Sequence, residues 1–97
     1  MTRIFKSPYY QGDIESIWSF IAQTSPDAAD RVIEGIEETL GVLADFPKIG
    51  TPCPHLAPNL RRCQWRDFLI YYRCASSDVE IVRVLHGRRK IEQQQFE

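Results

Sequence analysis

The residues best equipped for chemistry or binding lie in the C-terminal half of the chain, in the segment Asn59–Lys90. It holds eight of the twelve Lys and Arg residues but only three of the thirteen acidic ones. It also contains Tyr71 and His86, and it ends in three cations, Arg88–Lys90. Such a set could bind a polyanion or an acidic protein. It could also assist metal-free RNA cleavage, because that reaction needs groups that move protons and stabilise phosphorane charge.

The spacing of residues does not favour a metal site, a phosphate-binding loop or a Ser-His-Asp catalytic site. Cys53, His55 and Cys63 lack zinc-ligand spacing, and the sequence has neither a glycine-rich phosphate loop nor a recognisable Ser-His-Asp grouping. We therefore expect no metal and no cofactor. Three cysteines without a CxxC motif indicate reduced thiols. With no apolar signal core and no apolar run near the ~20 residues that span a bilayer, we expect a cytoplasmic protein that does not enter the membrane.

Length and charge indicate one domain, residues 1–97, with an uneven distribution of charge. The net charge of −1 conceals four basic and eight acidic side chains in residues 1–50, against eight basic and five acidic in residues 51–97. This asymmetry is consistent with an acidic or polyanionic partner for the C-terminal half. It is equally consistent with a solvated sheet face whose cations balance acidic helices.

Two Ser-Pro pairs predict the starts of two helices. Serine caps a helix by accepting a backbone hydrogen bond, and proline is favoured at the first helical position. Ser7-Pro8 therefore opens a helix from Pro8 to about Gln23, and Ser25-Pro26 opens one from Pro26 to about Asp45, where Pro47 prevents its continuation. The connector is so short that the two helices must form an antiparallel hairpin.

Four β-prone runs complete the predicted fold: residues 2–6, 59–64, 68–74 and 79–86. The last three are separated by turns at Arg66-Asp67 and Ser76-Ser77, and a proline-rich loop, Pro47–Pro58, precedes them. The fold class is thus α+β, in the order β-α-α-β-β-β. We expect a mainly antiparallel four-stranded sheet with the α-helical hairpin packed on one face.

The two turns set a register in which Arg73 faces Glu80, an opposite-charge pair that supports the assignment. Alternation then places two sets of side chains on opposite faces. The set expected to face the helices is Cys63, Phe68, Ile70, Tyr72, Ile81 and Leu85. The opposite set is Arg62, Gln64, Leu69, Tyr71, Arg73, Glu80, Val82, Val84 and His86. Arg61 and Arg83 fall on the helix side, which requires a position at its rim or a bulge. The last strand is apolar on both faces, so we expect a partner or the C-terminal segment 91–96 to cover the second one.

Four short motifs carry a resemblance over essentially the whole chain. They are FP-x-x-G at Phe46–Gly50, LRR at Leu60–Arg62, FLIYYR at Phe68–Arg73 and EIVRVLHGRRK at Glu80–Lys90. In this order they resemble the ParE/RelE superfamily of bacterial toxin–antitoxin toxins, and most closely its ParE branch. The family ending V-L-H-G-x-R-D departs here at its last position, where Lys90 replaces the acidic residue.

The resemblance implies a toxin that is neutralised by a cognate, ParD-like antitoxin. The ParE branch is associated with inhibition of DNA gyrase, and the RelE branch with cleavage of mRNA on the ribosome. A catalytic arginine position of the RelE branch falls on Leu69, which offers no charge, and a second falls on Arg89. The paired lysines and the late tyrosine of that branch are missing. A nuclease would have to rely on Arg62, His86 and Arg89.

We therefore expect a ParE-like toxin without catalytic activity that binds DNA gyrase and forms a hetero-oligomer with its antitoxin, contacting nucleic acid only through partners. The residues expected to bind the target are Arg62, Tyr71, His86, Arg88 and Arg89. Those expected to bind the antitoxin are Trp18, Leu69, Tyr71, Val82 and Val84. The alternatives are a RelE-like ribosome-dependent mRNA endoribonuclease and a non-toxic antitoxin-binding module.

Overall fold

The computed structural model describes residues 2–87 and residue 96. Five strands and two helices occupy the described part of the chain. They are β1 (Arg3–Lys6), α1 (Pro8–Ala22), α2 (Pro26–Asp45), β2 (Thr51–Pro52), β3 (Leu60–Trp65), β4 (Phe68–Ala75) and β5 (Asp78–His86). The predicted α+β class is confirmed, with the helical hairpin packed on one face of the sheet.

The Ser-Pro pairs begin both helices as predicted. The Ser7 hydroxyl accepts a hydrogen bond from the N–H of Tyr9, and the Ser25 hydroxyl accepts one from the N–H of Ala28. Ser7 also donates to the carbonyl of Val82, so this cap fastens α1 to the last strand. No helix in the described part of the chain is long and apolar enough to cross a membrane.

The sheet has the strand order β1-β5-β4-β3-β2, in which β1 runs parallel to β5 and the other neighbours are antiparallel. The prediction of four strands missed β2. This strand is only two residues long, and it pairs Thr51 with Arg62 and Pro52 with Arg61. Proline is tolerated there because β2 is an edge strand. A two-residue strand inside a proline-rich loop leaves no alternation to detect.

Both predicted hairpin turns are confirmed. Trp65 pairs with Phe68 and Ala75 pairs with Asp78, which leaves two residues in each turn. The first residue of each turn is left-handed, with φ of 52° at Arg66 and 56° at Ser76. Such turns match the twist of the strands that they join.

A β-bulge in β5 overturns the strict alternation predicted for its last residues. Tyr71 pairs with Arg83 and Tyr72 pairs with Ile81, so Val82 is the extra residue. An inserted residue reverses the side-chain alternation beyond it. The predictions that Val84 and His86 lie on the open face and Leu85 on the helix side are therefore wrong, since each occupies the opposite face.

Both faces of the sheet bury apolar side chains. The helix-side cluster includes Tyr10, Ile36, Leu40, Leu43, Phe68, Ile70, Tyr72, Val79, Ile81 and Val84. The cluster on the other face consists of Cys53, Ala57, Leu60, Tyr71, Val82, Leu85 and Phe96, with Leu56 and Leu69 at its edge. A partner or the segment 91–96 was expected to cover the second face, and Phe96 of that segment does lie in this cluster, whereas residues 91–95 are outside the described part of the chain. The contribution of Cys53 and Ala57 from the proline-rich loop was not predicted.

Candidate functional site

Arg62 and Tyr71 are brought together on the sheet face that points away from the helices. They are direct partners across β3 and β4, as predicted. The Tyr71 side chain has no exposed surface. Burial raises the pKa of its hydroxyl, and the neighbouring Arg62 opposes that shift. Tyr71 therefore supports the second core, whereas Arg62 is only partly buried and can reach solvent.

His86 lies on the helix side of the sheet, away from Arg62. It pairs with Phe68 across β4 and β5, and the two rings meet edge to face with their centroids 5.5 Å apart. The set predicted to bind the target is thus divided between two faces. Its remaining members, Arg88 and Arg89, lie outside the described residues.

Metal-free RNA cleavage would use Arg62 and His86 at one phosphate, and the structure places these two residues on opposite faces of the sheet. A general base or acid must reach the proton that it transfers, and charge stabilisation must converge on the same phosphate. Arg62 and His86 have the sheet between them. Leu69 shares the face of Arg62 and packs against the second core. Among residues 2–87 and 96, no cluster of His, Cys, Asp or Glu is suited to hold a metal ion.

The residues predicted to bind the antitoxin fall in three different places. Trp18 lies on the outer side of the hairpin, 39% exposed, where its indole N–H donates to Asp30 of α2 at 2.8 Å. Tyr71 and Val82 are fully buried in the second core, and Leu69 lies at its edge. Val84 is on the helix side. No single exposed surface contains all five.

A groove of about 870 Å³ runs between α1 and the ends of β4 and β5. Its apolar lining includes Ile17, Phe20, Ile21, Phe68 and Val84, and His86 also lines it. Phe20 is 75% exposed, which is unusual for a large aromatic side chain. Of the residues predicted to bind a partner, Val84 and His86 line this groove, but the prediction did not include Phe20. The available signal was Phe20 itself, an aromatic residue outside the apolar stripe of its helix.

An ion pair between Asp13 and Arg83 fixes one wall of this groove. Arg83 donates from Nε and Nη2 to the two carboxylate oxygens of Asp13, at 2.8 and 2.7 Å. One of these oxygens also accepts the backbone N–H of Val84 at 3.1 Å. The hydrogen bonds to Asp13 raise the pKa of Arg83, and burial opposes the shift. The bulge pairs Arg83 with Tyr71 across β4 and β5, and the ion pair gives this arginine a partner on α1.

Hydrogen bonds to the Tyr72 hydroxyl explain the FP-x-x-G motif. The hydroxyl donates to the carbonyl of Pro47 and accepts the N–H of Gly50, both at 2.8 Å. Arg61 donates to the carbonyls of Lys48 and Gly50. A side chain at position 50 would place its Cβ 2.5 Å from the Tyr72 hydroxyl. The motif therefore anchors the loop to the sheet, and Arg61 lies at the rim of the helix side.

Comparison with known proteins gives the same assignment as the motifs. Residues 4–91 match the family model described as the ParE toxin of the type II toxin–antitoxin system parDE. Toxin ParE1 of Caulobacter vibrioides is 33% identical over 78 residues, which cover 78% of this chain and 79% of the relative. Toxin ParE1 of Mycobacterium tuberculosis is 26% identical over 93 residues, which cover 94% and 95%.

A solved structure shares the fold. The chain is similar to one titled "Chromosomal ParDE TA system from P. aeruginosa", with a TM-score of 0.75 and 18% identity. The likeness covers 89% of this chain and 96% of that one. The family match spans most of the chain, from β1 past the end of β5. This protein therefore belongs to the ParE toxin family of type II toxin–antitoxin systems.

Proposed function

We propose that this chain is the toxin of a type II toxin–antitoxin pair, that it acts in the cytoplasm by binding DNA gyrase, and that a ParD-like antitoxin neutralises it. It has no catalytic activity of its own and contacts nucleic acid only through its partners. The target-binding residues are Arg62 and the cations Arg88 and Arg89. Arginine is well suited to this role, because it is favoured at the energetic centres of protein interfaces.

The observation that carries the choice of a protein target over RNA is the separation of Arg62 from His86. The two residues lie on opposite faces of the sheet, and Leu69 offers no charge on the face of Arg62. A ribonuclease would need both groups at one phosphate. A protein-binding surface has no such requirement, because separate contacts can contribute independently to a large interface.

The antitoxin binds in the groove between α1 and the sheet. Its lining combines apolar side chains with an exposed phenyl ring at Phe20, the chemistry expected of a site for apolar anchors. The antitoxin segment is extended or helical and folds as it binds. The Asp13–Arg83 pair stiffens one wall, so the groove exists before the antitoxin arrives and little ordering cost falls on the toxin.

Purified gyrase and translating ribosomes distinguish the proposed activities. The chain should inhibit DNA supercoiling by gyrase and leave ribosome-bound mRNA intact. Cleaved mRNA with unaffected supercoiling would instead establish a RelE-like endoribonuclease. A chain that inhibits neither process and does not arrest growth when expressed alone would be a non-toxic antitoxin-binding module.

The double variant Arg88→Ala plus Arg89→Ala tests the target-binding surface. It should weaken gyrase inhibition while the chain remains folded. The matched control is Arg31→Ala plus Lys48→Ala, which removes two exposed cations elsewhere on the molecule. The control should inhibit gyrase like the unmodified chain. Equal inhibition by both double variants would show that the C-terminal cations are not the working surface.

A further inference from the structure

The helical hairpin carries a second groove on its outer side, between α1 and α2, with a volume of about 430 Å³. Its apolar surface comes from Trp18 and from two half-buried residues, Ile14 of α1 and Ile33 of α2. Ile14 and Trp18 lie one helical turn apart, so they form a continuous stripe along the groove. We call it the Trp18 groove. It shares no lining residue with the groove beside Phe20, so the two grooves are separate sites.

Trp18 presents an aromatic surface that is oriented before any partner binds. Its indole N–H donates to a carboxylate oxygen of Asp30 at 2.8 Å, which restricts rotation of the ring. The residue is nevertheless 39% exposed, so the hairpin leaves part of a large aromatic side chain open to solvent. Tryptophan is favoured at the energetic centres of protein interfaces, and a side chain that is already fixed loses little freedom on binding.

The charge around this apolar surface is negative. Glu15, Asp30 and Glu34 also line the groove, and within residues 2–87 and 96 none of these three carboxylates forms an ion pair. The whole hairpin, residues 8–45, holds eight acidic side chains and one basic side chain, Arg31, which does not line the groove. The resulting charge of −7 repels nucleic acid and acidic peptides and attracts basic ones.

Charge and apolarity together select the occupant of the Trp18 groove. Solvated carboxylates alone would not define a site, and an apolar groove alone would accept any apolar side chain. An arginine side chain matches both features, because its methylene groups can cover Ile14 and Ile33 while its guanidinium stacks on the indole ring and meets the carboxylates. A single ion pair in an open groove is weak, so the arginine must belong to a longer segment that makes further contacts.

We propose that the Trp18 groove is a docking site for a basic segment of a protein partner, which places an arginine side chain against Trp18. The site goes beyond the proposed binding of gyrase and of the antitoxin. It is separate from the groove beside Phe20, and the sheet lies between it and Arg62.

Nuclear magnetic resonance of the isotope-labelled full chain tests the site with a defined probe. The sequence has two tryptophans, so the indole N–H signal of Trp18 reports on the groove and that of Trp65 reports on the helix-side core. The probe is the blocked pentapeptide acetyl-SLRLS-amide, and its twin carries citrulline, which keeps the shape of arginine without the charge. The arginine peptide should shift the Trp18 signal, leave the Trp65 signal in place and bind roughly 5-fold more tightly than its twin.

Matched variants separate the groove from the general negative charge of the hairpin. The double variant Glu15→Gln plus Glu34→Gln removes two charges at the groove and keeps the shape of both side chains. The control, Glu38→Gln plus Asp45→Asn, removes two exposed charges that do not line it. The first variant should weaken binding of the arginine peptide about 5-fold, and the control should weaken it less than about 2-fold. Equal weakening by both would show attraction by the overall charge only and overturn the site.

Two comparisons test whether the groove recognises the cation and whether the peptide lies there. Equal affinities of the arginine and citrulline peptides would overturn recognition of the cation. Phe20→Ala should leave binding of the arginine peptide unchanged. A loss of binding in this variant would place the peptide in the groove beside Phe20 and overturn the assignment to the Trp18 groove.

The Trp18 signal also tests the occupant. A signal that shifts as the chain alone is concentrated would make a second copy of the chain the occupant and overturn a separate partner. A signal that stays in place at millimolar arginine peptide would overturn the site itself. None of these measurements uses gyrase or the antitoxin, so their outcome is independent of the proposed function.

Discussion

Asp13 and Arg83 lie 70 positions apart and form a two-point ion pair that fastens α1 to the bulge of β5. Both side chains are about 10% exposed, and the guanidinium of Arg83 also lies over the ring of Tyr9 at 4.9 Å. A buried pair of this kind is costly to break from one side, because the remaining charge is left without a partner in a poorly solvated place.

Removing the carboxylate alone should therefore lower the free energy of unfolding by more than removing both charges. We expect Asp13→Ala to lower the free energy of unfolding by about 3–5 kcal/mol. The double variant Asp13→Leu plus Arg83→Leu should cost less, because no buried charge remains. Urea denaturation of the variants measures the difference. Equal and additive losses would mean that the pair is already well solvated.

The local elements could be predicted from the sequence because their signals are local. The Ser-Pro pairs specify both helix starts, and the opposite charges of Arg73 and Glu80 specify the register of β4 and β5. The bulge could not be predicted. In the segment IVRVL, apolar residues follow one another on both faces, so the pattern does not reveal that Val82 is the extra residue. The stabilising partner of the bulge, Asp13, is distant in sequence.

Only part of the candidate site could be predicted, because the bulge was not foreseen. Arg62 and Tyr71 precede the bulge, and their shared face is as predicted. Val84 and His86 follow it, so their predicted face was wrong. The groove beside Phe20 depends on how α1 lies across the strand ends. The position of α1 is set by tertiary packing, so it cannot be inferred from the periodicity of a single helix.

Alanine substitutions at Gly50 and Gly41 should change the stability of the chain in opposite directions. At Gly50 a Cβ would lie 2.5 Å from the Tyr72 hydroxyl and 2.8 Å from the carbonyl oxygen of Arg62. The second contact is with backbone, which cannot easily move, so Gly50→Ala should cost roughly 1–3 kcal/mol. At Gly41 in α2, an added Cβ would meet nothing within 4 Å. Gly41→Ala should stabilise the chain by about 0.5–1 kcal/mol.

Thermal unfolding of both variants, followed by circular dichroism, provides the measurement. The Gly50→Ala midpoint should fall and the Gly41→Ala midpoint should rise. A stable Gly50→Ala variant would indicate that the loop can leave Tyr72 without loss, contrary to an anchoring role for the FP-x-x-G motif.

Stability at alkaline pH should depend on Tyr10. Burial, with a smaller contribution from Glu37, raises the pKa of Tyr10 to about 12. Because the pKa of an unfolded tyrosine is about 10, the folded chain keeps this proton over an interval in which the unfolded chain loses it. The contribution is fully present below about pH 10 and is lost as the pH rises to about 12, with a total of roughly 2–3 kcal/mol.

The variant Tyr10→Phe isolates this contribution. Within the described residues the Tyr10 hydroxyl is buried and has no hydrogen-bond partner, so its removal should be neutral or slightly stabilising at pH 7. Between pH 10 and 12 the variant should lose less stability than the unmodified chain, as followed by urea denaturation at each pH. Parallel curves for the two proteins would show that Tyr10 ionises at its ordinary pKa when folded.

The groove beside Phe20 leads to a prediction in which one substitution weakens antitoxin binding and leaves the stability of the fold nearly unchanged. Phe20 is 75% exposed, so Phe20→Ala should change the free energy of unfolding by less than about 0.5 kcal/mol. If the ring is an anchor for the antitoxin, its loss should weaken the complex by about 2 kcal/mol or more, which is roughly 30-fold in Kd. Val42→Ala is the matched control, because Val42 is also exposed, at 45%, but does not line the groove. Titration calorimetry with the antitoxin should show a loss for Phe20→Ala alone. Equal antitoxin affinities of the two variants would indicate that the antitoxin does not bind at α1.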